Sequence, residues 1–298
     1  MKPVNFDYVS ARSVEEAVET LSQAAGTAKI IAGGQSLMPI LNMRLARPSL
    51  LIDINTIPQL NCIEPVGNEI RIGATVRHHQ AETSALIRER LPLLAKAIPL
   101  VGHRPIRTRG TLVGSVVHAD PSAEIPLVAL LLDAYLEVKS VNGVRQVALS
   151  EFFYGYMMTD LQTDEMVTTL VFPEIPLLPE VGRGCAFQEM ARRDGDFALV
   201  SAACQMDVQA GVIAEVRLGV GGVGGAPLRL METEEFLKDN EGSSDLFTKA
   251  AASIADLLDP DDDPSVSAEY RRSVAVGLTK RVLEEAFSEA GTDKGAGR

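Results

Sequence analysis

The stretch AKIIAGGQSL, residues 28–37, places two glycines between an apolar run and a short helical pattern. Residues 28–32 predict a β-strand, residues 37–45 predict a short helix, and residues 50–54 predict a second strand. Glycines at such a turn let the backbone approach a ligand without a Cβ, and they leave N–H groups exposed to an anion. Taken alone, the two glycines are more typical of a plain tight β–α turn, and a ligand-binding turn is the alternative.

A second glycine-containing stretch, RGTLVGSVVHADPSAEIP, covers residues 109–126. Thr111, Gly114 and Ser115 place small and hydroxyl-bearing residues together, as the first stretch does. Two such loops can hold the two ends of one diphosphate. The alternative is that Thr111 and Ser115 only satisfy backbone groups at the end of a strand.

Two acidic residues follow in the same stretch. Asp120 precedes Pro121, and this order predicts the N-cap of an apolar helix that continues to Asp133. Glu124 then lies in the first helical turn, where the helix dipole favours an acid. Both residues have this structural interpretation beside a role in a site.

The segment GVGGVG, residues 219–224, satisfies the pattern GxGxxG. A dinucleotide-binding fold needs this pattern to open a helix in a βαβ unit, with an acid about 20 residues further on. Gly225 and Pro227 follow here and break an immediate helix. We therefore predict close backbone packing or a wide turn, and no nucleotide site.

The charge balance excludes some partners. The 298 residues include 28 Lys and Arg against 40 Asp and Glu, a net charge of −12. Nucleic acids and anionic membranes need clustered basic residues, so neither is an expected partner. No run of 18 apolar residues predicts a membrane span, and the N-terminal residues carry no secretory signal pattern.

The cysteines and histidines predict no metal centre in this chain. The cysteines are odd in number, far apart and never in a CxxC pattern, which argues against a disulfide framework and indicates the cytoplasm. They are also too few for the four ligands of an ordinary iron–sulfur cluster. These residues are Cys62, Cys185, Cys204, His78, His79, His103 and His118.

The order of predicted strands, helices and glycine turns divides the chain into four parts, with an α+β pattern throughout. Residues 1–56 contain the first glycine turn, 57–176 contain the second, and 177–290 begin with long strands and end with helices. Residues 291–298, GTDKGAGR, have nothing to bury and predict a disordered tail. The segment RRDGDF, residues 192–197, is interpreted either as a solvated hairpin or as part of a site.

Taken in order, AGGQSL at 32–37, RGTLVGSVVHADPSAEIP at 109–126 and RRDGDFALV at 192–200 resemble a known family. The family that these motifs resemble is that of the FAD-binding (medium) subunits of molybdenum hydroxylases. This group includes carbon monoxide dehydrogenase, xanthine dehydrogenase and N-heterocycle or aldehyde hydroxylases. The resemblance covers about residues 5–285. It implies a PCMH-type FAD-binding fold of two α+β subdomains, then a C-terminal domain with a three-stranded antiparallel sheet and a helix bundle.

The resemblance also implies which residues contact FAD. The two loops would hold the diphosphate and the ribityl chain, an acid would lie on the flavin side, and apolar residues would pack on the cofactor. Gln188 stands where several relatives have lysine, and Val113 replaces the first glycine of the usual T-I-G-G. The implied contacts are Ala32, Gly33, Gly34, Gln35, Ser36, Leu37, Val101, Thr111, Gly114, Ser115, Asp120, Glu124, Val167 and Gln188.

The function implied by the resemblance is electron transfer. A large partner subunit would oxidise the substrate at molybdopterin, and a small one would carry electrons through two [2Fe–2S] clusters to FAD in this chain. The expected assembly is a dimer of heterotrimers, and the acceptor (NAD, a quinone, a cytochrome or oxygen) stays open. A stand-alone PCMH-type flavin oxidoreductase and a scaffold with a degenerate nucleotide site are the alternatives.

Overall fold

A computed structural model describes residues 1–178, 180–262 and 266–292, which contain three larger sheets and one of two strands. The first sheet is parallel, with β3 between β1 and β2. The predicted strands of the first glycine turn are confirmed, whereas β1 was not predicted because it is short and largely exposed. Its elements are β1 (Asp7–Ser10), α1 (Val14–Gln23), β2 (Ala28–Ile31), α2 (Leu37–Asn42) and β3 (Leu50–Asp53).

The second sheet is antiparallel and has the strand order β4-β5-β10-β6-β7. Short helices connect its strands, and a separate hairpin, β8–β9, lies beside it. The elements are β4 (Ile63–Val66), β5 (Glu69–Gly73), α3 (His78–Glu82), α4 (Ala85–Arg90), α5 (Pro92–Ala97), α6 (Arg104–Arg107), α7 (Leu112–His118), α8 (Glu124–Leu131), β6 (Tyr135–Ser140), β7 (Gly143–Ala148), α9 (Leu149–Phe152), β8 (Phe153–Gly155), β9 (Met158–Thr159) and β10 (Met166–Pro173).

Helix α8 is apolar over nearly its whole surface and lies in the core that both of these sheets share. The expectation that Asp120 caps it is wrong. The Asp120 Oδ1 atom accepts a hydrogen bond from the Ser122 N–H at 2.9 Å, and the Pro121 carbonyl accepts one from the Gly222 N–H at 2.8 Å. These bonds hold residues 120–123 in a turn, so the helix begins only at Glu124.

The third sheet is antiparallel, in the order β11-β12-β13-β14, and a second core fills the space between it and the last helices. The three long strands are as expected, and β14 adds a fourth of two residues. A Cβ on Gly182 or Gly184 would overlap backbone oxygens of α12, so this helix lies directly on β11. The elements are β11 (Gly182–Ala191), β12 (Ala198–Gln209), β13 (Val212–Gly221), β14 (Leu228–Arg229), α10 (Met231–Leu237), α11 (Ser244–Ser253) and α12 (Ala268–Thr292).

Of the predicted disordered tail, residues 291–298, the structure describes only the first two residues. Residues 291 and 292, assigned to the tail, continue helix α12. Residues 293–298 lie outside the described residues.

Candidate functional site

The first loop, residues 32–36, connects β2 to α2 and turns at Gly34, whose φ is +69°. A Cβ on Gly33 would lie 2.5 Å from the Arg109 carbonyl oxygen and 2.7 Å from the Gly110 Cα atom. Real Cβ atoms do not approach backbone so closely. The first loop therefore rests, backbone on backbone, against the second loop, residues 109–115.

The second loop ends in the first turn of α7, which begins at Leu112, and Thr111 caps that helix. The Thr111 Oγ1 atom accepts a hydrogen bond from the Gly114 N–H at 3.1 Å, and a Cβ on Gly114 would lie 2.6 Å from the same oxygen. The Thr111 hydroxyl thus has the backbone-satisfying role that the sequence left open. Ser36, at the start of α2, makes no such capping bond.

Arg77 joins the two loops, and the sequence carried no sign of this role. Its guanidinium donates to the Arg109 carbonyl of the second loop and to the Asn55 Oδ1 atom. The Asn55 side-chain amide in turn donates to the Ala32 carbonyl of the first loop at 2.8 Å. Arg77 therefore holds the two loops close together, at a distance that only a glycine at position 33 allows. Burial lowers the pKa of the Arg77 guanidinium.

A cleft of about 830 Å³ opens between the loops and the N-terminal ends of α7 and α8. This volume is within the range of small-molecule sites, and its lining is mainly apolar. Every predicted contact residue except Gln188 lines it: Ala32, Gly33, Gly34, Gln35, Ser36, Leu37, Val101, Thr111, Gly114, Ser115, Asp120, Glu124 and Val167. The structure thus brings together two loops that are about 75 positions apart in sequence. Val101 and Val167 lie in the same cleft.

Gln188 lies on β11 and is not among the residues that line the cleft. Its side-chain amide donates to the Glu285 Oε2 atom of α12 at 2.7 Å. A contact between Gln188 and a molecule in the cleft stays a prediction.

The acids of the cleft include one that titrates near neutrality. Glu124 is only 6% exposed, and burial raises the pKa of its carboxyl to about 7, to which the nearby Asp120 charge adds. Glu189, on β11, has a pKa raised to about 8 by burial and by the charges of Glu124 and Asp194. The carboxyl of Glu124 can therefore hold or release a proton at the cleft wall at physiological pH.

The segment 192–197 reaches the cleft from the third sheet. Gly195 has a φ of +76°, and a Cβ on it would overlap the His103 ring, so the turn rests on that ring. Asp196 and Phe197 line the cleft, and Phe197 is 70% exposed. The segment is the exposed turn that joins β11 to β12, as the solvated-hairpin interpretation predicts, and a role in a site stays a prediction.

The GxGxxG segment has a packing role, as predicted. Gly219 and Gly221 belong to β13, and no helix follows them directly. A Cβ on Gly219 would lie 2.7 Å from the Leu228 carbonyl oxygen, and one on Gly221 would lie 2.6 Å from the Ser201 Oγ atom. These glycines allow neighbouring chain segments to pack closely, and they lie outside the cleft lining.

His78 is a further cleft residue that the sequence analysis did not single out. It is 3% exposed, lines the cleft, and directly follows Arg77. A histidine in a short helical stretch carries no local signal of a site, so only the fold identifies it.

In residues 1–178, 180–262 and 266–292, no three His, Cys, Asp or Glu side chains are grouped as metal ligands. None of the helices in these ranges has the length and apolar character needed to cross a membrane.

Two family models match the chain. The model described as "FAD binding domain in molybdopterin dehydrogenase" matches residues 4–175. The model described as "CO dehydrogenase flavoprotein C-terminal domain" matches residues 185–286.

Individual proteins are similar over nearly the full length. The chain is 40% identical to the 6-hydroxypseudooxynicotine dehydrogenase complex subunit alpha of Paenarthrobacter nicotinovorans, over 97% of both chains. It is 35% identical to caffeine dehydrogenase subunit beta of Pseudomonas sp. (strain CBB1), over 96% of both. Its structure resembles a chain of carbon monoxide dehydrogenase from Hydrogenophaga pseudoflava, solved without the Mo-pyranopterin moiety, with a TM-score of 0.93 and 32% identity over 97% of this chain and 100% of that one.

Proposed function

The chain belongs to the family of FAD-binding medium subunits of molybdenum hydroxylases, and on that premise we propose that it takes electrons from [2Fe–2S] clusters of a partner subunit and passes them to an external acceptor. It is an oxidoreductase subunit with FAD as its cofactor. The full-length match to subunits of multi-subunit dehydrogenases is the observation that carries the proposal.

The cleft fits FAD. Gly33 and Gly34 both line the cleft, and a glycine backbone at this position suits close approach of a diphosphate. Ser36 has a hydroxyl not used for capping, and Ser115 also lines the cleft. When bound, FAD supplies the electron-carrying chemistry, while the chain supplies position, shielding from water and hydrogen bonds.

We assign parts of the cofactor to parts of the cleft. The first loop, with Leu37, and the second-loop residues Thr111, Gly114 and Ser115 would hold the diphosphate and ribityl chain. Val101 and Val167, both buried, would pack on the flavin ring, with Glu124 and Asp120 at its polar side. Glu124 would hold a proton there, because burial raises the pKa of its carboxyl to about 7.

The relatives support a separation between this chain and the substrate. Their complexes are named for 6-hydroxypseudooxynicotine, caffeine and carbon monoxide, which have little chemistry in common. A subunit similar across such complexes is unsuited to selecting the substrate. We therefore place substrate oxidation in a large molybdopterin subunit.

We place the iron–sulfur clusters in a small partner subunit. Three cysteines are too few for an ordinary cluster, which needs four cysteine ligands. We further propose a dimer of heterotrimers as the assembly and the cytoplasm as its location, since the three free cysteines suit a reducing compartment. Within the chain, we propose divisions near residues 56 and 176.

The experiment is a cofactor analysis of the purified full chain. We expect about one FAD per chain and neither iron nor molybdenum in stoichiometric amount. Absorbance gives the flavin content, and elemental analysis gives the metals. Stoichiometric iron or molybdenum would contradict the division of labour, and a chain that binds no FAD would contradict the proposal as a whole.

One observation favours the alternative of a stand-alone flavin oxidoreductase. Glu124 provides an acid–base group at the cleft wall with a pKa of about 7, as a substrate-oxidising flavoenzyme needs. Turnover by the isolated chain that is lost in Glu124→Gln would favour this alternative. Turnover that appears only with the partner subunits would exclude it.

A further inference from the structure

His78 brings a polar group without a protein partner to the cleft wall. The residue begins α3 and is 3% exposed. Its Nδ1 atom is enclosed and has no hydrogen-bond partner, and among the described residues no side-chain hydrogen bond reaches the other ring nitrogen. The residue lines the cleft, and the ring edge that carries Cδ2 and Nε2 faces Gly110, which also lines the cleft.

The imidazole is neutral near pH 7, so one of its two ring nitrogens carries a proton. Burial lowers the pKa of His78 to about 4, the Arg107 charge on α6 lowers it further, and Glu82 on α3 opposes the shift. A buried N–H without an acceptor is rarer and costlier than an acceptor without a donor. The enclosed Nδ1 atom is therefore the bare nitrogen, and Nε2–H is a donor at the cleft.

The donor lies where the two loops meet. The His78 backbone N–H donates to the Gly110 carbonyl at 3.0 Å, and a Cβ on Gly110 would lie 3.4 Å from Nε2. Gly110 is also the residue against which Gly33 packs. The ring edge with Nε2 therefore lies beside the junction that the cofactor diphosphate would occupy.

Cations are scarce at this wall. Among the described residues that line the cleft, Lys29 is the single Lys or Arg. The charge of a diphosphate must then be met mostly by backbone N–H groups and by neutral side-chain donors. A histidine N–H fixed at the loop junction is such a donor.

We propose that His78 is a cofactor-binding residue whose Nε2–H donates a hydrogen bond to an oxygen of the FAD diphosphate. The inference rests on FAD occupying the cleft, as the proposed function states. His78 thereby recognises the diphosphate, whereas Arg77 beside it positions the loops.

The test uses the full chain, freed of flavin, and titrates it with FAD while flavin fluorescence is recorded. We expect His78→Leu, which removes the donor, to bind FAD at least about tenfold more weakly. His78→Gln retains an N–H donor and should stay within about threefold of the unsubstituted chain. His79→Gln is the matched control, since His79 lies on the same helix outside the cleft lining and should change nothing.

A second readout needs no destabilising substitution. The chain has four histidines, so ¹⁵N-histidine labelling gives a simple spectrum in which His78→Gln identifies the His78 signals. FAD should shift the Nε2 signal of His78. An unmoved signal, or His78→Leu that is folded by circular dichroism and binds FAD within about twofold of the unsubstituted chain, would overturn the inference. An unsubstituted chain that binds no FAD would instead contradict the proposed function.

Discussion

Two regions of the chain contain closely spaced glycines, and only one of them opens onto the cleft. Gly33 and Gly34 line the cleft, although a Cβ on Gly33 would overlap the Arg109 carbonyl oxygen of the second loop. In residues 219–224, Gly219, Gly221 and Gly222 pack closely on neighbouring segments, Gly224 has open space around it, and all four lie outside the cleft lining. Close packing of glycines thus occurs in both regions, and the position beside the cleft distinguishes the first.

Helix α8 connects the two regions and explains why they differ. Gly219 packs beneath Leu127 and Leu131 of this helix, and the Gly222 N–H donates to the Pro121 carbonyl before it. Glu124, at the start of the same helix, lines the cleft. A glycine pattern therefore predicts function only when the elements around it leave space in front of the backbone.

The largest effect is expected in the first loop. Gly34→Glu should reduce retained flavin to below about a tenth of the unsubstituted level, because the new carboxylate repels the diphosphate and the φ of +69° disfavours any side chain. Gly34→Ala is the control and should retain more flavin, since it adds only backbone strain. The flavin-to-protein absorbance ratio measures both. Full flavin occupancy in Gly34→Glu would remove this loop from the cofactor site.

The second region should respond through stability. A Cβ on Gly222 would overlap the Leu199 carbonyl, and its φ is +75°, so Gly222→Ala should cost about 2–4 kcal/mol of unfolding free energy. Gly224 has open space around it, and Gly224→Ala should stay within about 0.5 kcal/mol. Thermal unfolding measures the stability of both variants, and the flavin content shows whether either variant loses the cofactor. Loss of flavin from a Gly222→Ala chain of unchanged melting temperature would reverse the comparison.

Glu124 on α8 should make the unfolding free energy of the flavin-free chain depend on pH. Burial raises the pKa of Glu124 to about 7, above its value in the unfolded chain, so the folded state binds a proton that the unfolded state releases. Its stabilising contribution is complete below about pH 4 and is lost as pH rises through about 7. Between pH 5 and pH 8 the flavin-free chain should lose about 2 kcal/mol relative to Glu124→Gln, measured by urea unfolding. Parallel pH profiles of the two chains would show that Glu124 does not titrate in this range.

The smallest effect is expected on FAD binding when Arg77, which links the two loops, is substituted. Arg77→Met removes the bonds to Arg109 and Asn55 and should weaken FAD binding about tenfold. Arg77→Lys should not restore binding, because one ammonium group does not reproduce the planar fork that reaches both partners. Arg104→Met, at an exposed position on α6, is the control. Equal flavin affinity in Arg77→Met and Arg104→Met would contradict the positioning role.

Much of the site could be predicted because its signals are local. The first loop is flanked by an apolar strand and a helix within about 20 residues, and the second loop has the same kind of small residues at the start of a helix. Each glycine is thus interpretable from its neighbours in sequence. The resemblance then united loops that periodicity alone could not place together.

The remainder depends on contacts between distant residues. Arg77 acts through Asn55 and Arg109, and an arginine in a short helical stretch has no pattern that names such partners. The start of α8 was misplaced because Gly222, about a hundred residues away, occupies the Pro121 carbonyl that a helix would need. Strand β1 was missed because four mostly exposed residues give no alternation to detect.

The most direct test of the account follows the flavin of this chain in the assembled complex. The chain is reconstituted with its molybdopterin and iron–sulfur subunits, substrate is added without oxygen, and absorbance is recorded at about 450 nm, where oxidised flavin absorbs. The account predicts bleaching that requires both partners and is absent when the chain is mixed with substrate alone. Bleaching by substrate in the isolated chain, or a flavin that stays oxidised in a complex that turns over, would contradict it.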